Sequence, residues 1–281
     1  MVHQQQQFDI RKHLKDAKKD RDLCNYNNSL APHSSDWLRA TPAASCRMDK
    51  QTFRTALCYK FNIPIHKEVS RCTMCKKPNV MDEMGDHALV CTFGGEKTKR
   101  HNAVVDIIYA SVKRYRPLMD REESKHLLAD STGKKPADLL IPDWSQGKRA
   151  ALDITVIAPM QQKFKTKLKS PKNVGCVAQA GVRGKNDKYA RLCADVGIMF
   201  LPFALDATGG FPPEAEQFIH DLYILSGGVS NTSLNFRKAL LYSQIAIEIQ
   251  KWLVHLISRR IIPHIEHNFH GVLDLGLDAQ W

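Results

Sequence analysis

Two carboxylates sit where carboxylates are uncommon. Asp138 opens an apolar run in Lys135-Pro136-Ala137-Asp138-Leu139, and Asp153 lies inside another, Ala151-Leu152-Asp153-Ile154-Thr155-Val156. Strands disfavour Asp, and burying its charge costs free energy. If the two runs are adjacent antiparallel strands, both side chains reach one edge of a sheet. Glu123 lies upstream, in Arg121-Glu122-Glu123-Ser124. Three converging carboxylates make an oxygen-ligand site for Mg²⁺ or Mn²⁺. Such an ion orients a water and neutralises charge on a scissile phosphate. A nearby lysine would stabilise the pentacovalent phosphate or help deprotonate the water. Lys185 and Lys188, at the start of the following helix, are the candidates. The plainer alternative is that Asp138 caps a turn and Asp153 pairs with a lysine.

A second constellation is Cys72-x2-Cys75-x11-His87-x3-Cys91. Two cysteines two residues apart form a knuckle that offers two thiolates to one ion. A His and a Cys four apart share one face of a helical turn and complete a tetrahedron. Pro78, Asn79 and Gly85 supply the turns between. Four protein ligands fill the shell of Zn²⁺, so the expected role is structural. The other cysteines are Cys24, Cys46, Cys58, Cys176 and Cys193. Without a secretory leader, reduced thiols are expected rather than disulfides.

The elements that must position these residues follow from periodicity. Residues 1–30 are polar and expected to fray. Short helices fill 36–57, and the zinc unit follows. A helix over 101–115 is predicted from Val104, Val105, Ile108, Val112 and Tyr115, ended by Pro117. Residues 137–141 and 150–158 read as a strand hairpin across Pro142, Asp143, Trp144 and Gly147. A helix over 185–196, a strand over 198–205, a helix over 213–225 and a last helix over 234–260 complete the pattern. The reading is α/β, a small mixed sheet flanked by helices. The expected segments are 1–30 (disordered), 31–98 (short helices and zinc knuckle), 99–230 (core) and 231–281 (C-terminal helix and tail).

The 281 residues carry 41 Lys and Arg against 29 Asp and Glu, a formal charge of +12. Residues 97–172 hold 17 basic and 8 acidic side chains, a net of +9, whereas residues 200–281 are net −3. A concentrated basic region suits a polyanion, most simply nucleic acid. Lys163, Lys165, Lys167, Lys169 and Lys172 recur mostly every second residue, as a loop against phosphates or a solvated strand edge would. No apolar run is free enough of charge to span a bilayer, and the N-terminus lacks a signal-peptide core. Those features give an intracellular expectation with no membrane partner.

The ordered motifs resemble the restriction-like endonuclease region at the C-terminus of non-LTR retrotransposon polyproteins. Asp36-Trp37-Leu38-Arg39-Ala40 resembles a motif that precedes that family's CCHC knuckle. Gly85-Asp86-His87-Ala88-Leu89-Val90-Cys91 resembles the knuckle's second half, and Arg100-His101-Asn102 an Arg-His-Asn motif opening a helix. Pro136-Ala137-Asp138, Trp144, Gly147 and residues 151–156 resemble the nuclease core. Residues 185–189 resemble a lysine-tyrosine motif, and Gly209-Gly210 a closing turn. The resemblance spans residues 30–250. It implies a PD-(D/E)XK fold in which Asp138 and Asp153 bind the divalent ion and Glu123 is the upstream acid. Arg100 and His101 would touch DNA. Thr155 stands where such folds usually carry a lysine, so Lys185 or Lys188 would replace it. Gln250-Lys251-Trp252 departs from the Gln-Arg-Gly-Asn-like segment of the family.

Without a Tyr-x-Asp-Asp signature the chain copies no RNA itself. A reverse transcriptase in cis or in trans is the implied partner, and a DNA substrate implies nuclear residence. The expected activity is metal-dependent DNA nicking. The rival is an inactive zinc-knuckle protein that binds DNA or RNA.

Overall fold

The central strand of the sheet explains the fold. Residues 150–154 are apolar apart from Asp153, and all five are buried. Such a run needs cover on both faces, unlike the alternating pattern of a half-exposed strand. The computed structural model describes residues 2–41, 43–66, 68–116, 135–224 and 231–261. It is mixed α/β, with a three-stranded sheet ordered β1-β2-β3 and flanked by helices. β1 (Leu139–Ser145) pairs antiparallel with β2 (Lys148–Ile157), and β2 pairs parallel with β3 (Met199–Asp206). The β1–β2 turn is Gln146-Gly147, with φ of 53° and 75°. Two left-handed residues in a two-residue turn match the twist of an antiparallel pair.

The helices are α1 (Val2–Asp16), α2 (Asp20–Asn28), α3 (Lys50–Lys60), α4 (Asp86–Val90), α5 (Glu96–Lys113), α6 (Gln162–Leu168), α7 (Cys176–Asp195), α8 (Pro213–Ile224) and α9 (Asn231–Ser258). Alternate β2 residues Ala150, Leu152 and Ile154 join Val104, Ile108 and Val112 of α5 in the main apolar cluster. Phe218 of α8 and Ile245 and Ile249 of α9 belong to the same cluster. The opposite face of the sheet carries α7. A second cluster joins Cys72, Met81, Leu89 and Cys91 to Leu253, Leu256 and Ile257. α9 therefore contributes to both clusters.

Three expectations change. The polar N-terminal stretch is helical over most of residues 2–28. Leu23, Cys24, Asn25, Asn27 and Asn28 of α2 are buried. Asn25 Nδ2 donates to the Tyr59 and Lys60 carbonyls, and Asn27 Nδ2 donates to that of Leu168. A polar stretch can dock when its amides satisfy buried carbonyls. The alternating lysines are neither loop nor strand edge. Lys163, Lys165 and Lys167 ride α6, Lys169 follows its last residue and Lys172 lies in the 3₁₀ turn beyond, with Phe164 and Leu168, four apart, buried beneath the helix. α7 begins at Cys176 rather than at residue 185. Gly181 and Gly184 weaken the helical signal there by about 1 kcal/mol each against Ala.

Candidate functional site

The register places the two aspartates. Leu139 faces Leu152, Leu140 faces Ala151 and Ile141 faces Ala150. Continued by one residue, this ladder sets Asp138 opposite Asp153, and the Asp138 N–H donates to the Leu152 carbonyl at 2.9 Å. Directly opposed side chains share a sheet face. That face carries α7, because Ala151 packs with Cys193.

α7 lies close to the sheet because of Gly181. A Cβ there would stand 2.6 Å from Ile157 Cδ1 and 2.9 Å from Ala204 Cβ. Lys185, four residues on and so on the same helix face, donates from Nζ to Asp153 Oδ1 at 2.8 Å. Lys188 does not reach the carboxylates. Its Nζ lies over the Tyr189 ring, 4.6 Å from the centroid. Gly181→Ala is expected to lift α7 off β2 and β3 and displace Lys185. The expected cost is about 1–3 kcal/mol in urea unfolding.

His101, in the second turn of α5, lies with Nε2 3.0 Å from Asp138 Oδ1. The backbone N–H of Ile154 donates to Asp138 Oδ2 at 2.7 Å. Asp138 thus closes the end of the ladder with its side chain, and both of its oxygens are engaged. Asp153 is 4% exposed, and its Oδ2 has no hydrogen-bond partner. Burial pushes its carboxyl up to about 6. Lys185 opposes that rise, and the adjacent Asp138 adds to it. His101, Asn102, Lys135, Asp138, Asp153 and Lys185 line one open cleft of about 520 Å³.

A carboxyl whose folded pKa exceeds its unfolded value stabilises the fold fully below the unfolded value, near 4. That contribution is lost as pH rises through about 6. The burden of ionised Asp153 is on the order of 3 kcal/mol. The expected result is a thermal midpoint for Asp153→Asn that gains on wild type as pH rises from 4 to 7, read by calorimetry. A constant difference across that range would refute it.

Arg100, expected beside His101 at DNA, points into the interior. Arg100 is 2% exposed, and its Nη2 donates to the Val156 carbonyl at 3.4 Å. The helical period of α5 turns Arg100 inward beside Val104 while His101 faces the cleft. Glu123, with Glu122, lies outside the described residues.

The cysteine-histidine quartet does assemble. The candidate ligand atoms of Cys72, Cys75, His87 and Cys91 all lie within 4.8 Å of one another. Cys75 Sγ is 3.4 Å from His87 Nε2, near the ~3.5 Å edge of a tetrahedron with Zn–S of about 2.3 Å and Zn–N of about 2.0 Å. The first knuckle turns through Lys76 at φ 62°, and a Ser70–Met81 bridge closes its hairpin. Gly85 at φ 77° leads into α4, which carries His87, and Cys91 follows its last residue. Burial lowers the His87 pKa, helped by the charge of Arg260, which favours the neutral, ligating imidazole. The quartet could hold one metal ion.

Sequence reasoning passed over Gly181 and the cleft position of Lys135. Lys135 was visible only as a neighbour of Pro136-Ala137-Asp138. Gly181 leaves no trace in a hydrophobic pattern.

Fold and sites together define a mixed α/β protein with a paired-carboxylate cleft at one sheet edge and a Cys₃His cluster capable of binding metal. Comparison with protein-family models, curated proteins and solved structures gave no match. No helix among the described residues is long and apolar enough to cross a membrane.

Proposed function

We propose that the chain is a metal-dependent DNA endonuclease domain of the restriction-like, PD-(D/E)XK type, with structural zinc in the Cys₃His cluster. One observation carries the reading: Asp138 and Asp153, opposed across β1 and β2, share an open cleft with Lys185. The buried, partnerless Asp153 Oδ2 suits a cation, because an anionic oxygen with neither donor nor solvent is costly.

Asp138 and Asp153 would hold Mg²⁺ or Mn²⁺. The ion, when bound, supplies a water of lowered pKa and neutralises phosphate charge. Lys185 orients Asp153 and places a positive charge beside the cleft. His101 orients the Asp138 carboxylate. The lysines of α6 and the exposed Arg183, Lys188 and Arg191 of α7 would attract a phosphate backbone with no preference for sequence. The sequence resemblance adds a reverse transcriptase as partner and the nucleus as location.

The test is nicking of supercoiled plasmid with Mg²⁺ or Mn²⁺ by wild type, Asp138→Ala and Asp153→Asn. Nicking by wild type alone supports the reading, and equal nicking by all three refutes it. An inert wild type that still retains DNA indicates the second reading, a nucleic-acid-binding protein without cleavage. Asp138, with both oxygens already engaged, is the feature that favours that second reading.

A further inference from the structure

We propose that Arg260 is a positioning residue for the Cys₃His metal centre. Its buried positive charge, joined by that of Arg100, has as counter-charge the net negative charge of a divalent ion held by three thiolates and one imidazole. The inference rests on the structural-zinc reading.

The geometry starts at the end of α9. Arg260 is fully buried, an unusual place for a guanidinium. Its Nη1 donates to the Leu256 carbonyl at 3.1 Å. Its Nη2 donates to the Phe93 carbonyl at 2.8 Å and to Glu96 Oε2 at 3.3 Å. Phe93 lies two residues after Cys91, so the side chain grips the second half of the metal site. The backbone grips the first half. Thr73, beside Cys72, donates its N–H to the Arg260 carbonyl at 3.2 Å and its hydroxyl to that of Arg259 at 2.6 Å. The packing between is tight: a Cβ on Gly94 would overlap both Met74 Cε and a Glu96 oxygen. One residue therefore ties both ligand pairs to α5 and α9.

The charges do not balance without the metal. Arg260 and Arg100 are both buried, and the buried acid Glu96 accepts from Arg260 Nη2. Arg100 Nε and Nη1 and Arg260 Nε have no partner. Burial and the charge of Arg260 bring Arg100 down to about 10, with no acid opposing them. An uncompensated buried charge is strongly destabilising. The contacts to Phe93 and Thr73 set Arg260 against both halves of the metal site. One divalent ion with three thiolates leaves a charge of −1, opposite in sign to the interior excess.

The experiment measures zinc content and zinc affinity, by competition with a coloured chelator, for the full chain and for Arg260→Met, Arg260→Lys and Glu96→Gln. Urea unfolding is run in parallel. Loss of an outer-shell partner typically weakens a metal by 10–100-fold. Arg260→Met is expected to show that loss. Arg260→Lys, which keeps the charge and loses the fork, is expected to recover most of it. Glu96→Gln is expected to bind zinc as tightly as wild type or more so while unfolding at lower urea, which a purely structural role would not produce. Equal losses in Arg260→Met and Arg260→Lys, or wild-type affinity in Arg260→Met, would overturn the proposal. Should Arg260→Met fail to fold, Arg100→Met leaves the grip intact and is expected to weaken zinc by about threefold or more; no change there overturns it equally. A wild type that binds no zinc rejects the metal reading itself, a result distinct from metal-loaded variants of equal affinity.

Discussion

Asp153→Asn is expected to abolish the proposed nicking and at the same time to stabilise the fold. Two effects act on one atom pair. The carboxylate is buried, one oxygen has no partner, and burial already holds its pKa near 6. At pH 8 the folded chain must carry an ionised group that its surroundings disfavour. The amide removes that burden. It also frees Lys185, whose side chain keeps 27% of its exposure and can be hydrated. The thermal midpoint of the variant is therefore expected above that of wild type at pH 8. The same amide is a poor ligand for Mg²⁺, and loss of metal assistance removes several kcal/mol of transition-state stabilisation, about 10³-fold or more in rate. A residue kept at the expense of stability is what a functional site predicts. Plasmid nicking and calorimetry on the same samples check both halves. A variant that loses stability while still nicking at the wild-type rate would remove Asp153 from the proposed site.

Withdrawal of metal is expected to have the other large effect. Cys72, Met81, Leu89 and Ile257 are among the least exposed side chains of the second cluster, yet α4 is only five residues long. So short a helix is unstable alone. Structural zinc in comparable peptides contributes about 10–16 kcal/mol of binding free energy at neutral pH. A strong chelator, or Cys72→Ser, is expected to lower the thermal midpoint by about 10 °C or more. Amide exchange should rise first over residues 70–93 and in the last turns of α9. Unchanged exchange after complete removal of bound metal would show that the quartet packs without an ion.

Much of this arrangement could be read from the chain. The helix centred on Val104, Val105 and Ile108, the hairpin around Gly147 and the strand ending at Leu205 all carry strong periodic or turn signals, and the structure departs from the expected bounds by only a few residues. The cysteine-histidine spacing was legible because metal ligation demands particular residue types at particular separations. What escaped was contact chemistry. The docking of α2 depends on Asn25 and Asn27 finding carbonyls far along the chain, and no local pattern encodes that. The lysine run mimicked a strand because Phe164 and Leu168, which fix its helical period, are only two residues among many charges. Lys185 and Lys188 were indistinguishable by composition. Gly181 separates them, by bringing one face of α7 within reach of Asp153. Arg100 and His101 are neighbours in sequence, but the turn of α5 sends one into the interior and the other to the cleft.

The clasp between Thr73 and the end of α9 joins residues 186 positions apart. That separation matters for the order of synthesis. Cys91 leaves the ribosome long before Arg259 and Arg260 do. At roughly 5–20 residues per second, the nascent quartet waits on the order of ten seconds for its floor. During that interval the thiols are open to oxidation and to competing metals. A metal held by the quartet would therefore be fully enclosed only when the last helix arrives.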